Sequence, residues 1–388
     1  MTIERFAFPT AIHFGAGARK LVAEHLAAQG LERPLIVTDR GIAPLPLLAK
    51  FVADLHRMDV AVYSDIWGNP VKSQVAGGVA AFREHRADAI IGLGGGAALD
   101  VAKAIALMAV HGGDVLEYAW DHPHVRPIEH ELPYFVAVPT TAGTGSEVGR
   151  SSVISDDATH IKKIIFSPRL LARAVFADPE LTVDLPPAIT AATGMDALTH
   201  NVESYLSPAY HPLCDGIALE GARIAARSLR TAVREPHNLK ARADMLMSSM
   251  MGAIAFQKDL GAVHSCAHAL STVADLHHGL ANGIMIDHVM RFNLKSATEK
   301  MAELAHVVGA GTAGALPEAS AEAFIDWLAA LKRDLGIPAT LSGLAAKRPV
   351  TRADIPALAD VAINDICHQT NPRKCTRADF ERLFADAM

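Results

Sequence analysis

Long hydrophobic runs, cysteine pairs and blocks of like charge are all scarce in this chain, and each scarcity excludes a class of protein. The most apolar helical stretch, Met245 to Phe256, is about 12 residues, too short to span a bilayer. The first residues, Met1-Thr2-Ile3-Glu4-Arg5-Phe6, lack a basic stretch followed by an apolar one, so no signal peptide is expected. The four cysteines, Cys214, Cys266, Cys367 and Cys375, show no C-x-x-C spacing and are expected to be reduced thiols. Only 20% of residues are charged, the net charge is −6, and no Lys/Arg run stands out. Neither a nucleic-acid partner nor a membrane partner is expected, and a cytoplasmic protein is the default.

What is abundant is apolar residue, 50% of 388 positions. That supports a large core and exceeds one ordinary domain, so two are expected. The first half alternates short apolar runs, such as Leu35-Ile36-Val37-Thr38, Ala89-Ile90-Ile91-Gly92-Leu93 and Phe135-Val136-Ala137-Val138, with helical patterns. Continuous apolar strands between helices predict a parallel sheet covered on both faces. From about Pro186 the strand signal stops and long Ala/Leu/Met patterns predict an all-helical region. The expected architecture is an α/β dinucleotide-binding domain with a Rossmann-like parallel sheet over 1–185, followed by an all-α domain over 186–388.

Two turns carry a ligand signal. Gly92-Leu93-Gly94-Gly95-Gly96 lies between a strand and a helix, where glycines admit a phosphate and a helix N-terminus offers free N–H groups. It is equally a tight turn without a ligand, and its spacing is not G-x-G-x-x-G. Thr140-Thr141-Ala142-Gly143-Thr144-Gly145-Ser146 follows another strand and is rich in hydroxyls. Two such turns at strand ends of one sheet point to a shared crevice. Asp39, ending the second strand, either accepts ribose hydroxyls, which favours NAD over NADP, or caps the next helix.

One segment of the second half concentrates ionisable groups. Asp196 and His200 are spaced i, i+4, as are His264 and His268, and His277-His278-Gly279 follows. Three imidazoles and a carboxylate suit a divalent first-row metal whose open positions polarise an alcohol or carbonyl oxygen. A single histidine is more often a hydrogen-bonded structural residue, but burying several without a shared partner is costly.

These residues resemble the iron-containing, metal-dependent (group III) alcohol dehydrogenase family along nearly the whole chain. Gly94-Gly95-Gly96 with Asp100 and Lys103 resembles its G-G-G-S-x-x-D-x-x-K motif, and Pro139 to Glu147 resembles P-T-T-x-G-T-G-S-E. Gly194 to His200 resembles G-x-D-A-x-x-H, His264 to Gly279 resembles H-x-x-x-H…H-G, and Asn371-Pro372-Arg373 resembles the C-terminal N-P-R. The resemblance implies an NAD-linked oxidoreductase interconverting an alcohol and an aldehyde or ketone by hydride transfer. It implies Asp196, His200, His264 and His278 as ligands of a divalent metal, iron first, with zinc, cobalt or nickel as alternatives. It further implies His268 as the unligated proton-relaying histidine, and Asp39, Asn69, Gly95, Gly96, Ala97, Thr140, Thr141, Thr144 and Lys162 as nucleotide contacts. The substrate is expected to be a small alcohol or aldehyde, and the assembly a homo-oligomer, a dimer or larger.

The sequence also departs from the family. Ala97 replaces a serine, His277 replaces a proline beside His278, and Ala269-Leu270-Ser271 replaces Pro-Leu-Gly, so a straighter helix is expected after His268. Arg150 either binds an anionic substrate group or serves a pairing or phosphate role. The alternative activity on the same scaffold is a dehydroquinate-synthase-like lyase or synthase, or a polyol-phosphate dehydrogenase. Ser151, Phe256, Leu260 and Cys367 are candidate pocket residues by position.

Overall fold

The structure is a computed structural model that describes residues 6–8, 10–159, 161–342, 344 and 348–388. The chain divides into two compact units, one built around Phe8–Thr141 with Gly145–Val183, the other around Asp184–Met388 with Ala142–Thr144.

The first unit alternates strand and helix: β1 (Ala11–Phe14), α1 (Val22–Ala28), β2 (Pro34–Val37), α2 (Pro46–Asp54), β3 (Ala61–Tyr63), α3 (Lys72–Glu84), β4 (Ala89–Gly94), α4 (Gly96–Val110) and β5 (Tyr134–Pro139). A hairpin of β6 (Ser151–Ser155) and β7 (Lys162–Phe166) then precedes β8 (Ala174–Ala177). Six strands form one parallel sheet in the order β1-β8-β5-β4-β2-β3. β2, β4 and β8 are buried at every position, as a sheet covered on both faces requires. Side chains alternate: Ile36, Ile91, Leu93, Val136 and Val138 join Val22, Leu26, Phe51 and Leu55 in one core. The hairpin is not evident from strand-like runs in the sequence, because Ser151–Ser155 and Lys162–Phe166 mix polar and apolar residues.

Chain order reverses between β2 and β4, so the C-terminal ends of these two strands flank the topological switch point, where such sheets bind ligands. At that point Gly94 adopts φ +158, and a Cβ there would lie 2.6 Å from the Ala98 Cβ. Only glycine turns the chain this tightly from β4 into α4.

The second unit is helical: α5 (Pro187–Leu206), α6 (Pro212–Arg234), α7 (Leu239–Ala255), α8 (Ala262–Ala274), α9 (His278–Asn293), α10 (Thr298–Val307), α11 (Pro317–Leu335), α12 (Ile355–Ile363) and α13 (Arg377–Asp386). Proline sits in the first turn of α5, α6 and α11, where its missing N–H costs nothing. Helix α5 is buried along most of its length, from Thr190 to Leu206, and forms the spine of this unit's core. Helix α8 runs on past His268 through Ala269-Leu270-Ser271 to Ala274 and stops where Asp275 turns left-handed. Among the described residues, no helix is long and apolar enough to cross a membrane.

Candidate active site

In the first unit the glycine turn and the threonine turn are neighbours. β4 and β5 pair in register through Gly94 and Pro139, and the Thr140 amide donates to the Gly94 carbonyl at 3.0 Å. A Cβ on Gly95 would lie 3.1 Å from Thr141 Oγ1, so the two turns share one small space. Gly95 is the N-cap of α4 and has no side chain to occupy the helix's first amides. Those of Gly96, Ala97 and Ala98 are left for an anion, and the positive end of the helix dipole favours one.

Asp39 caps the turn that follows β2 rather than the helix α2, whose N-cap is Leu45. Its Oδ1 accepts from the Gly41 and Ile42 amides at 2.8 and 3.0 Å, while Oδ2 points toward the Gly94 turn, 3.4 Å from where a Gly94 Cβ would be. Asn69 precedes α3 in a loop that Pro70 ties to the hairpin by accepting from the Ser155 amide at 2.7 Å. Lys162 opens β7, and Thr144 lies in the short segment that packs with the helical unit. The Arg150 guanidinium stands 5.5 Å above the Phe166 ring.

Behind the turns, a fully buried cation fixes the threonine loop. Lys103 Nζ donates to the carbonyls of Ser146, Gly149 and Ser151 at 2.6, 3.1 and 2.8 Å and to Ser146 Oγ at 2.8 Å. Asp100 completes the network, accepting from Ser146 Oγ at 2.6 Å and the Val153 amide at 3.0 Å. Glu147 beside it is 2% exposed, and its Oε1 has no hydrogen-bond partner. Burial pushes its carboxyl up to about 7, against the opposing pull of its own backbone amide and Lys103. A carboxyl raised on folding stabilises the fold below its unfolded value of 4.5, and that contribution is lost as pH climbs through 7. Glu147→Gln is therefore expected to remove a loss of about 3 kcal/mol between those limits. Urea midpoints measured from pH 4.5 to 8 check this, and an unchanged slope refutes it.

In the helical unit, Asp196 and His200 project from α5, His264 and His268 from α8, and His278 from the first turn of α9. Asp196 Oδ1 lies 3.9, 3.7 and 3.5 Å from Nε2 of His200, His264 and His278. Donors about 2.0–2.2 Å from one tetrahedral metal stand roughly 3.4–3.6 Å apart; the ligand atoms of Asp196, His200 and His264 lie within 4.8 Å of one another, and His278 Nε2 joins them through its 3.5 Å approach to Asp196 Oδ1. Gly279 makes the approach of α9 feasible, since a Cβ there would meet the Ala192 carbonyl of α5 at 2.4 Å. His277 is exposed, and its Nδ1 caps α9 by accepting from the Leu280 amide at 3.4 Å, whereas His278 faces Asp196.

The electrostatics suit a cation. Burial would raise Asp196, but the three imidazoles outweigh it and hold the carboxyl well below the usual carboxylate range. Burial pushes His200 down to about 4 against the pull of Asp196. Burial would lower His264 too, yet hydrogen bonds and charges from Asp196 and Glu203 lift it to about 9. The Asn282 amide turns its N–H edge onto the same centre, with Nδ2 2.7 Å from Asp196 Oδ1, 3.2 Å from His278 Nε2 and 3.4 Å from His264 Nε2. Its Oδ1 is buried with no hydrogen-bond partner. Converging lone pairs around one buried carboxylate fit a divalent metal.

Three further residues shape this site. Glu203, Asn282 and Asp365 are absent from the candidates read off the sequence, although Glu203 is i+3 from His200 and Asn282 is i+4 from His278. Asp365 Oδ2 accepts from His268 Nδ1 at 2.7 Å, while Oδ1 accepts from Ser265 Oγ and the Cys367 amide at 2.8 and 2.9 Å. A carboxylate only accepts, so a proton sits on His268 Nδ1, and in the neutral imidazole Nε2 is the acceptor. The His268 ring stacks on His278 with centroids 5.2 Å apart. Of the pocket candidates, Phe256 lies 5.3 Å from the His200 ring and Cys367 borders His268 and Asp365.

A parallel sheet with an open anion turn at its switch point suits a dinucleotide, and the buried Asp/His cluster on the helices suits a divalent metal, the features of a dinucleotide- and metal-dependent enzyme. Comparison with known proteins narrows this. The sequence profile of the iron-containing alcohol dehydrogenases matches residues 9–179, and the C-terminal profile of that family matches residues 190–388. The chain belongs to the iron-containing alcohol dehydrogenase family. It is 37% identical over 387 residues to a 1,3-propanediol dehydrogenase of Citrobacter freundii, covering 98% of each chain. It is 35% identical to an NAD-dependent methanol dehydrogenase of Bacillus methanolicus, covering 99% of each. The crystal structure of a 1,3-propanediol oxidoreductase superposes with a TM-score of 0.95 at 36% identity over 100% of both chains. The chain is thus an NAD-linked, metal-dependent alcohol dehydrogenase, and these likenesses favour that activity over a lyase or synthase on the same scaffold.

Proposed function

We propose that the protein interconverts a short primary alcohol or diol and its aldehyde, with 1–185 serving as the dinucleotide-binding domain and 186–388 as the metal-binding one. The convergence of Asp196 Oδ1 with three imidazole Nε2 atoms carries this reading. In it, Asp196, His200, His264 and His278 hold the metal, which is iron by the family's description, with zinc, cobalt or nickel suited to the same donors. When bound, the metal supplies a Lewis acid for the alcohol oxygen and NAD accepts the hydride. The protein's residues do the rest. Gly95, Gly96 and Ala97 present amides to the pyrophosphate, Thr140, Thr141 and Thr144 present hydroxyls, and Asn69 and Lys162 add polar contacts. His268, kept in one tautomer by Asp365, accepts the proton at Nε2. A small alcohol fits the relatives that act on propanediol and methanol. A cytoplasmic homo-oligomer, a dimer or larger, completes the proposal.

The test is NADH absorbance from iron-loaded enzyme with a panel of short alcohols, 1,3-diols, hydroxy acids and phosphonates, the acids probing Arg150. Turnover of short alcohols or diols supports the proposal, and no NADH from any of them with metal and NAD both bound overturns it. Asp39→Gly is expected to raise the NADP-to-NAD ratio of kcat/KM on the order of ten-fold, by removing a carboxylate that repels a 2′-phosphate. An unchanged ratio refutes the ribose role of Asp39.

A further inference from the structure

The first turn of α8 is held by side chains far away in the chain. Its N-cap, Gly261, offers no side chain. The Ala262 amide instead donates to Asn371 Oδ1 at 3.2 Å, the Val263 amide to Glu203 Oε1 at 2.7 Å and the His264 amide to Glu203 Oε2 at 3.3 Å. Glu203 Oε2 also accepts a hydrogen bond from His264 Nδ1 at 2.6 Å. Asn371 is fixed in turn by a two-way exchange with Asn293, at 2.9 and 2.7 Å, and by donating to the Arg373 carbonyl at 2.6 Å. Glu203 is 2% exposed and Asn371 5%.

We infer that Glu203, seated by Gly261 and backed by Asn371, is the positioning residue that holds His264 Nε2 on the metal. The inference rests on the ligand assignment proposed above. Glu203 leaves α5 one turn after His200, so a single helix carries two metal donors and the clamp for a third. By accepting the Nδ1 hydrogen bond it leaves Nε2 as the only lone pair of His264, aimed at Asp196, and makes that nitrogen more basic. By accepting two first-turn amides it also sets the axis of α8, where a carboxylate complements the positive helix end. Glycine lets the two side chains come this close, since a Cβ on Gly261 would lie 2.6 Å from Glu203 Oε1 and 3.1 Å from Asn371 Oδ1 and push them away. The Asn371-Pro372-Arg373 motif thereby has a role: its asparagine closes the one first-turn amide that Glu203 does not reach.

The test measures metal retention. Wild type and Glu203→Gln are loaded with cobalt, challenged with a chelator, and followed by metal release and by the visible spectrum of the bound ion. Glutamine keeps the size but not the acceptor-only character of the carboxylate. The variant is expected to hold metal about 10–100-fold more weakly, with an altered spectrum and unchanged NADH binding by fluorescence. Wild-type release with a wild-type spectrum overturns the inference while leaving the ligand assignment intact. A wild type that binds no stoichiometric cobalt overturns both. Should Glu203→Gln not accumulate as folded protein, Gly261→Ala, which displaces the carboxylate without deleting it, gives the same reading: faster release supports the clamp and unchanged release refutes it.

Discussion

His264→Ala is expected to purify without stoichiometric metal and to lose at least ~10³-fold in kcat/KM with NAD and a short alcohol. The effect is large because His264 joins two functions in one ring. Its Nε2 is one of three imidazole nitrogens that converge on Asp196, and its Nδ1 donates to the buried Glu203. Alanine removes a donor from the cluster and leaves Glu203 without its imidazole partner. Elemental analysis and NADH absorbance measure the two losses, and NAD binding by fluorescence shows whether the other unit is undisturbed. Full activity in a metal-free preparation of this variant would sink the assignment. A variant that keeps metal and loses turnover would instead move His264 from ligand to another role.

The second large effect is on stability. Lys103→Met is expected to cost about 3–5 kcal/mol, read from the urea midpoint at constant m-value. Methionine matches the length of the stem but cannot serve the acceptors that surround Nζ. Three carbonyls and the Ser146 hydroxyl lose a donor at once, and Asp100 is left as a buried carboxylate with a hydroxyl and one amide. Burial already pulls the Lys103 ammonium below its ordinary value, so the fold spends stability to keep the charge there. The carbonyls it gathers belong to the loop that follows the threonine turn and to β6. Weaker NAD binding is the expected companion. A shift under 1 kcal/mol would show that the network is dispensable.

The sheet was largely legible because its strands are buried on both faces. Runs such as Leu35-Ile36-Val37 and Ala89-Ile90-Ile91 carry no polar interruption, and only a covered parallel sheet needs that. The β6–β7 hairpin escaped for the opposite reason: it is half-buried, so its composition is mixed and its pairing is set by the Lys103 and Asp100 network. The spacing of Asp196 with His200 and of His264 with His268 was readable from helix periodicity alone. The starts of the helices bearing His264 and His278 were not. Helix α8 begins at Ala262 and α9 at His278. Both N-caps are atypical. One is a glycine whose work is done by Glu203 and Asn371, and the other is His277. No local signal in a sequence reports a cap supplied from 60 or 109 residues away.

The same remote capping sets an order of assembly. All four proposed donors have been made once residue 278 is synthesised, but Asn371 arrives 93 residues later, and the Asp365 that orients His268 only slightly earlier. Contacts of such long sequence separation form late, after the loops between them have closed. On the proposed ligand assignment, tight metal uptake is then expected only once Asn371 has been made. An unfinished or clipped chain ending before residue 365 would carry every donor and still bind the ion loosely, which links the capture of metal to the integrity of the final twenty-odd residues.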